Sequence, residues 1–340
     1  MSSPVSPMRR RLLQACAAIP LLPLAGCKHS PVTGGSFIQL WLAHLAWPRE
    51  KWQSRLAATR ALGCDEIFVQ WVGVEGERDA AWAAPDTLLR LILDESDALG
   101  MGVHLGLTYD ERWWTAIAAA DDATVAGFLN ETGARARTGM SNAPWVSHSA
   151  FRGWYIPYEL EQYSWASPVR LDMLSNWLSG LSTAAIGSCG HEPTISTYRS
   201  ALPSNNTLAD MWSTLLDRVD IHPMIQDGAG VAGLENYRGL QPLHDMLVER
   251  RARFDLILEL FEQLPPARSG TGFSAKTAPY SRVEAQWDIA RDYGAQRVVA
   301  FAIDPWVLDD TPEAEALRQR WLSALGDGSR RAEPSTGTSR

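Results

Sequence analysis

Eight short apolar runs, each followed by a stretch with helical spacing, occupy residues 37–325 and leave few folds open. The runs cover 37–41, 66–72, 103–109, 153–158, 194–198, 219–225, 254–259 and 298–303. The stretches between them carry helix punctuation. Pro48 and Gly63 bracket the first, Pro85 and Gly100 the second, and 121–137, 168–184, 208–218, 241–253, 281–293 and 312–325 follow. Strand–helix alternation builds a parallel sheet with helices outside it. Eight units in roughly 290 residues fit a closed (β/α)8 TIM barrel, which needs about 250. A doubly wound sheet would carry a glycine-rich phosphate turn after its first strand. Trp41-Leu42-Ala43-His44 stands there instead, and no G-x-G-x-x-G or Walker motif falls at a strand–helix junction. The expectation is a single α/β barrel domain over 36–326.

Catalytic groups of such barrels lie at the C-terminal ends of the strands. Polar and aromatic residues gather at those ends: Gln70-Trp71, Thr108-Tyr109-Asp110, Trp154-Tyr155 through Glu159, Tyr198-Arg199, Gln226-Asp227-Gly228, Glu259, and Asp304-Pro305-Trp306. Carboxylates flanked by aromatics across one mouth suit glycoside hydrolysis. One acid protonates the leaving oxygen, and a second carboxylate attacks the anomeric carbon or activates water. Glu159 and Glu259 are the expected pair, with Glu161 and Glu262 as rivals. Glu259 interrupts the apolar run LILELF, where a charge is costly without a partner or a task. Asp227 in IQDGAG is expected to stay exposed on a sharp turn and to orient a sugar hydroxyl. Fifteen tryptophans exceed the eight tyrosines and eight phenylalanines. Trp41, Trp71, Tyr109, Trp154, Tyr155, Tyr198 and Trp306 are candidates for sugar-facing walls, with Gln70 and Gln226 as hydrogen-bonding groups. Core packing competes for every one of these rings.

Other chemistries find less support. The seven histidines show neither H-x-H nor H-E-x-x-H spacing, so no zinc site is expected, and no cofactor motif occurs. His104 and His222 sit within strands and read as hydrogen-bonded core residues. No G-x-S-x-G elbow is present. Cys64 and Cys189 either pair or remain separate buried thiols.

The N-terminus reads as an export signal. Arg9, Arg10 and Arg11 precede an apolar stretch over 12–24, and Leu24-Ala25-Gly26-Cys27 matches a lipobox. Cleavage after Gly26 would leave Cys27 as a lipidated first residue, with 27–35 as a tether. Lys28 in second position favours the outer membrane over inner-membrane retention. The mature chain would then hold 28 basic against 39 acidic residues, a balance that argues against a nucleic-acid partner. Residues 327–340 are expected to form a disordered tail.

The segments GSFIQLW, LGCDEIFVQW, GWYIPYE, IQDGAG and LELFE together resemble the family catalogued as domain of unknown function 4434. The resemblance spans roughly residues 34–325. It implies a TIM barrel, glycoside hydrolase activity and export. By position in retaining glycosidase barrels, it carries the strand-four general acid/base to Glu159 and the strand-seven nucleophile to Glu259. Those enzymes usually place Asn directly before the strand-four acid, whereas Tyr158 stands here. Two readings follow. One is an envelope-anchored glycosidase acting on a polysaccharide. The other is a lipoprotein that binds a polysaccharide without cleaving it.

Overall fold

The computed structural model of the chain describes residues 31–76, 81–265 and 273–332. Eight parallel strands close a barrel: β1 Gly35–Ile38, β2 Glu66–Val69, β3 Gly102–Gly106, β4 Phe151–Leu160, β5 Thr194–Thr197, β6 His222–Gln226, β7 Asp255–Glu259 and β8 Arg297–Phe301. Every strand pairs with its neighbours in sequence, and Gly35 beside Val299 closes the ring between β1 and β8. The expected TIM barrel is therefore present. Eight long helices pack outside: α1 Arg49–Ala61, α2 Asp86–Ala98, α3 Asp122–Asn142, α4 Pro168–Cys189, α5 Leu208–Leu216, α6 Asn236–Glu249, α7 Tyr280–Arg291 and α8 Pro312–Ala332.

Local chemistry explains the helix ends. The Asp121 side chain accepts from Thr124 N at 2.8 Å ahead of α3, and Ser167 caps α4 with Pro168 in the first turn. α4 closes on Gly190 at φ +78°, a left-handed position that suits glycine. Thr207 and Asp210 exchange hydrogen bonds in a capping box at the start of α5. α3 and α4 each run five residues past the expected end, and two further helices depart from expectation. α6 begins at Asn236 rather than Gln241, because Tyr237 and Leu240 add a buried turn and Pro242 is carried inside the helix. α8 runs to Ala332, into the stretch expected to be disordered. Glycine lowers helix propensity without forbidding helical geometry, so Gly326 and Gly328 are carried inside the helix. The remaining tail, the expected signal segment, Cys27 and the expected tether up to Ser30 lie outside the described residues.

The strands are apolar on both faces, as strands covered on both sides must be. Phe37, Phe68, Tyr155, Met224, Ile257 and Val299 point inward and fill the barrel axis. Their sequence neighbours, such as Ile38, Ile67, Val69, Trp154 and Ile156, point outward to the helix layer. Seven of the fifteen tryptophans, Trp52, Trp113, Trp154, Trp165, Trp212, Trp287 and Trp321, are fully buried in that outer layer. Cys64 and Cys189 are free thiols, and burial pushes the Cys64 thiol up to about 12.

The two barrel ends differ. At the N-terminal end, Arg297 Nη1 lies 2.8 Å from Glu66 and its Nη2 2.6 Å from Asp255. His104 joins Glu66 at 3.0 Å and His222 joins Asp255 at 3.0 Å. Both histidines are buried within this network, as core histidines were expected to be. At the C-terminal end the loops carry extra pairing. Gly73–Glu75 lies antiparallel to Trp82–Ala83 and parallel to Tyr109–Asp110. Phe261–Gln263 pairs antiparallel with Ala275–Thr277.

Candidate active site

A cavity of about 460 Å³ opens at the C-terminal mouth, above Tyr155 and Ile257. Glu159 at the end of β4 and Glu259 at the end of β7 both line it. β4 is the longest strand, and its register with β5 shifts between Ile156 and Glu159, lifting Glu159 to the level of Ser196. Gln226 Nε2 donates to Glu159 Oε1 at 2.8 Å. Burial raises the Glu159 carboxyl, and the Gln226 amide works against that rise.

Glu259 is 6% exposed. Its Oε2 accepts from Gly230 N at 2.7 Å. That approach requires glycine, because a Cβ on residue 230 would stand 2.6 Å from the Phe261 ring and 2.8 Å from Glu259 Oε2. Arg282 Nη2 donates to the Glu259 and Phe261 carbonyls at 2.8 and 2.6 Å, fixing the strand end. Burial, then the negative charge of Asp227, pushes Glu259 up to about 8, and the charge of Glu159 adds to the rise.

Asp227 does not face the cavity. Gly228 makes the expected turn at φ +65°, but it swings the carboxylate inward, where Asp227 is 0% exposed. Oδ1 accepts from Ala229 N at 3.0 Å and Glu259 N at 3.2 Å. Oδ2 accepts from Tyr237 Oη at 3.0 Å and Gln286 Nε2 at 2.6 Å. Four donors fix this carboxylate behind Glu259 rather than leave it to bind a hydroxyl; burial raises it, and those donors work against that rise. The expected rivals are also occupied elsewhere. Glu161 accepts from Tyr163 N and Ser164 N at 2.5 and 2.8 Å within its own turn. Glu262 pairs with Lys276 at 3.3 Å across the outer hairpin.

Of the expected wall and hydrogen-bonding residues, Gln70, Tyr155, Tyr198 and Gln226 line the cavity. Gln70 rests where β3 approaches so closely that a Cβ on Gly106 would fall 2.0 Å from its carbonyl oxygen. The Gln70 Oε1 atom is buried without a partner. Tyr155 Oη donates to Ser196 at 2.9 Å in the cavity floor. The other five rings stand elsewhere. Trp154 follows strand parity: because Tyr155 faces the axis, Trp154 faces α4 and donates to Ser188 at 2.8 Å. Trp71 is buried and donates to the Leu40 carbonyl at 2.6 Å. Trp41 is half-exposed and leans edge-on against Trp71 at the rim. Tyr109 stacks on Trp71 and opens onto a neighbouring groove, with the Glu159 charge among the causes that raise its hydroxyl. Trp306 packs behind the wall against Phe261.

Several lining residues escape the sequence reading: Phe37, Trp114, Ser196, Phe261 and Phe301; in that reading Arg199 stands at the end of β5 without a role. Trp114 had a signal. In Trp113-Trp114 on one short helix, both rings cannot share a buried face; Trp113 is 0% and Trp114 42% exposed. Asp110 anchors this loop, accepting Arg112 Nη2 at 2.7 Å and Arg135 Nη1 at 3.2 Å. Among the described residues no group of three His, Cys, Asp or Glu side chains is placed to share a metal ion.

Known proteins share this architecture. A protein from Bacteroides thetaiotaomicron, provisionally assigned as an α-L-fucosidase, superposes with TM-score 0.69 at 13% identity, over 92% of this chain and 98% of its own. A GH113 β-1,4-mannanase superposes with TM-score 0.51 at 13% identity, over 87% of this chain and 99% of its own. At such identities the likeness is one of fold. In sequence, the uncharacterized protein YbcH of Escherichia coli (strain K12) is 26% identical over 245 residues, 68% of this chain and 77% of its own length. The model of a domain of unknown function, DUF4434, matches residues 33–316, so the chain belongs to the DUF4434 family.

Proposed function

We propose that this barrel is a glycoside hydrolase that cleaves an oligosaccharide or polysaccharide between Glu159 and Glu259. The observation that carries the reading is two carboxyl groups in one largely apolar cavity, close enough for the charge of one to raise the other. Strand position alone gives the acid role to Glu159. The electrostatics favour Glu259: with the Asp227 anion behind it, Glu259 keeps its proton at neutral pH and can deliver it to the leaving oxygen. Glu159, hydrogen-bonded by the Gln226 amide, is then the group that attacks the anomeric carbon or activates water. Tyr155 and Phe37 offer an apolar floor, Trp114 a rim, and Gln70 an unpaired acceptor for a sugar hydroxyl. Solved glycosidases that share the fold support the same reading.

The test is release of sugars from a glycan panel by the purified protein, repeated with Glu259→Gln and Glu159→Gln. Full turnover in both variants would remove this pair from the mechanism. Glycan binding without cleavage by wild type would favour the non-catalytic alternative. We also propose that Cys27 carries a lipid that holds the barrel at the periplasmic side of the envelope, facing a polymer there. Cys27→Ser should move the protein from the membrane fraction to the soluble fraction; unchanged membrane association would exclude that anchor.

A further inference from the structure

The cavity is not closed on the side of the loop after β5. Arg199 lines it there, and also lines a second groove of about 490 Å³ that continues outward over α6. Among the described residues Arg199 makes no hydrogen bond or ion pair. The other arginines around this mouth are engaged. Arg112 and Arg135 hold Asp110, Arg170 holds Asp122 and two carbonyls, and Arg282 holds the end of β7.

The Arg199 side chain nevertheless has a built seat. A Cβ on Gly239, within α6, would stand 2.8 Å from Arg199 Nε and 3.0 Å from Cζ. The exposed guanidinium therefore rests over Gly239, and a methyl group there would displace it. Glycine is a poorer helix former than alanine, so this seat is kept at a loss of local stability. The groove beyond is lined by two arginines, Arg199 and Arg238, and by no aspartate or glutamate. Arg238 leans on Glu235 at 3.0 Å, both largely exposed. That is unusual ground in a chain of net charge −8. A planar, permanently charged fork with free donors suits a carboxylate or a sulfate.

Building on the hydrolase reading, we propose that the glycan taken by this site is acidic. Arg199 binds the carboxylate or sulfate of a sugar unit adjoining the one held between Glu159 and Glu259. The groove along α6 then holds the continuing acidic chain.

The full chain carrying Glu259→Gln, which binds without turnover, is titrated by calorimetry with defined oligosaccharides. Trimers of galacturonate and of mannuronate represent uronates. A chondroitin 4-sulfate tetrasaccharide represents sulfated sugars. Mannotriose and cellotriose are the neutral counterparts. At least one acidic oligosaccharide should bind about tenfold or more tighter than the neutral ones, a preference that weakens as salt rises. Whether the uronates or the sulfated sugar win identifies the anion. Arg199→Gln should remove the preference, and Arg199→Lys should keep part of it. Gly239→Ala, which displaces the guanidinium from its seat, should weaken it while Arg199 remains present. Equal binding of acidic and neutral oligosaccharides, binding of none, or an Arg199→Gln variant that behaves as its parent overturns the proposal. Cleavage of a neutral glycan without dependence on Arg199 would leave the hydrolase and sink the acidic substrate. Binding that depends on Arg199, with no cleavage by the protein carrying Glu259, would do the reverse.

Discussion

Replacing Glu259 by glutamine should make the barrel more stable at alkaline pH while stopping turnover. Glutamine keeps the shape and can still accept from Gly230 N, but it cannot ionise. In the wild type, Glu259 holds its proton up to about pH 8, whereas the unfolded chain releases it near the ordinary value of 4.5. Between those pH values the native state binds more protons than the unfolded state, so stability falls as pH rises and levels off above pH 8. The full window is about 3.5 pH units at ~1.4 kcal/mol each, giving a total of order 3–5 kcal/mol. That is comparable to the whole stability of many domains. Glu259→Gln should lack this decline. It should match the wild type near pH 5 and exceed it by several kcal/mol near pH 9. Urea unfolding of both proteins at pH 5, 7 and 9 measures the difference, and titrating groups remote from Glu259 cancel in the comparison. Parallel stability profiles would show that Glu259 titrates like an exposed glutamate and would refute the charge relation with Asp227.

Asp227→Asn should bring the upper end of that window to lower pH, because it removes the negative charge behind Glu259; a carbon-13 titration of the Glu259 carboxyl reads the shift directly. Gly230→Ala should cut activity at least about tenfold with the barrel intact, since its methyl group must displace Glu259 or Phe261; near-wild-type kcat would show that the Gly230 approach is dispensable. At the opposite end of the barrel, burial opposes the Glu66 charge, but His104 and Arg297 outweigh it and hold the carboxyl down at about 2. Its contribution should be complete above about pH 4.5 and fade as pH falls towards 2. Arg297→Leu should cost about 3–5 kcal/mol by removing the guanidinium from the buried Asp255 and leaving it His222 alone, and a midpoint within experimental error of wild type would contradict that.

Much of the fold is legible in the chain because its signals are local. Each strand–helix unit carries its own apolar run and its own punctuation, and strands that pair with sequence neighbours need no long-range information. The ends of β4 and β7 follow from that order, and with them the positions of Glu159 and Glu259. The outer pairings do not. Val74 meets Tyr109 across an intervening strand and helix, through segments of two or three residues that no periodicity marks. Asp227 reads as an exposed turn because its neighbours are glycines, yet it is drawn inward by Tyr237 and Gln286, which are 10 and 59 residues away. The aromatic walls are legible only in part. Alternation along β4 excludes Trp154 once Tyr155 is placed inside, and that parity is present in the sequence. No local signal shows that Arg199 rests on Gly239.

The division of labour among the tryptophans decides what light can report about this protein. Seven indoles are sealed between strands and helices, where the loss of packing on unfolding will change their emission together. Trp114 is the half-exposed indole at the cavity, and a sugar stacked on it perturbs that ring against a large constant background. Total fluorescence is therefore a sensitive gauge of folding and a nearly blind gauge of binding. Replacing Trp114 by phenylalanine and subtracting the two spectra would isolate the one ring that can see a ligand arrive.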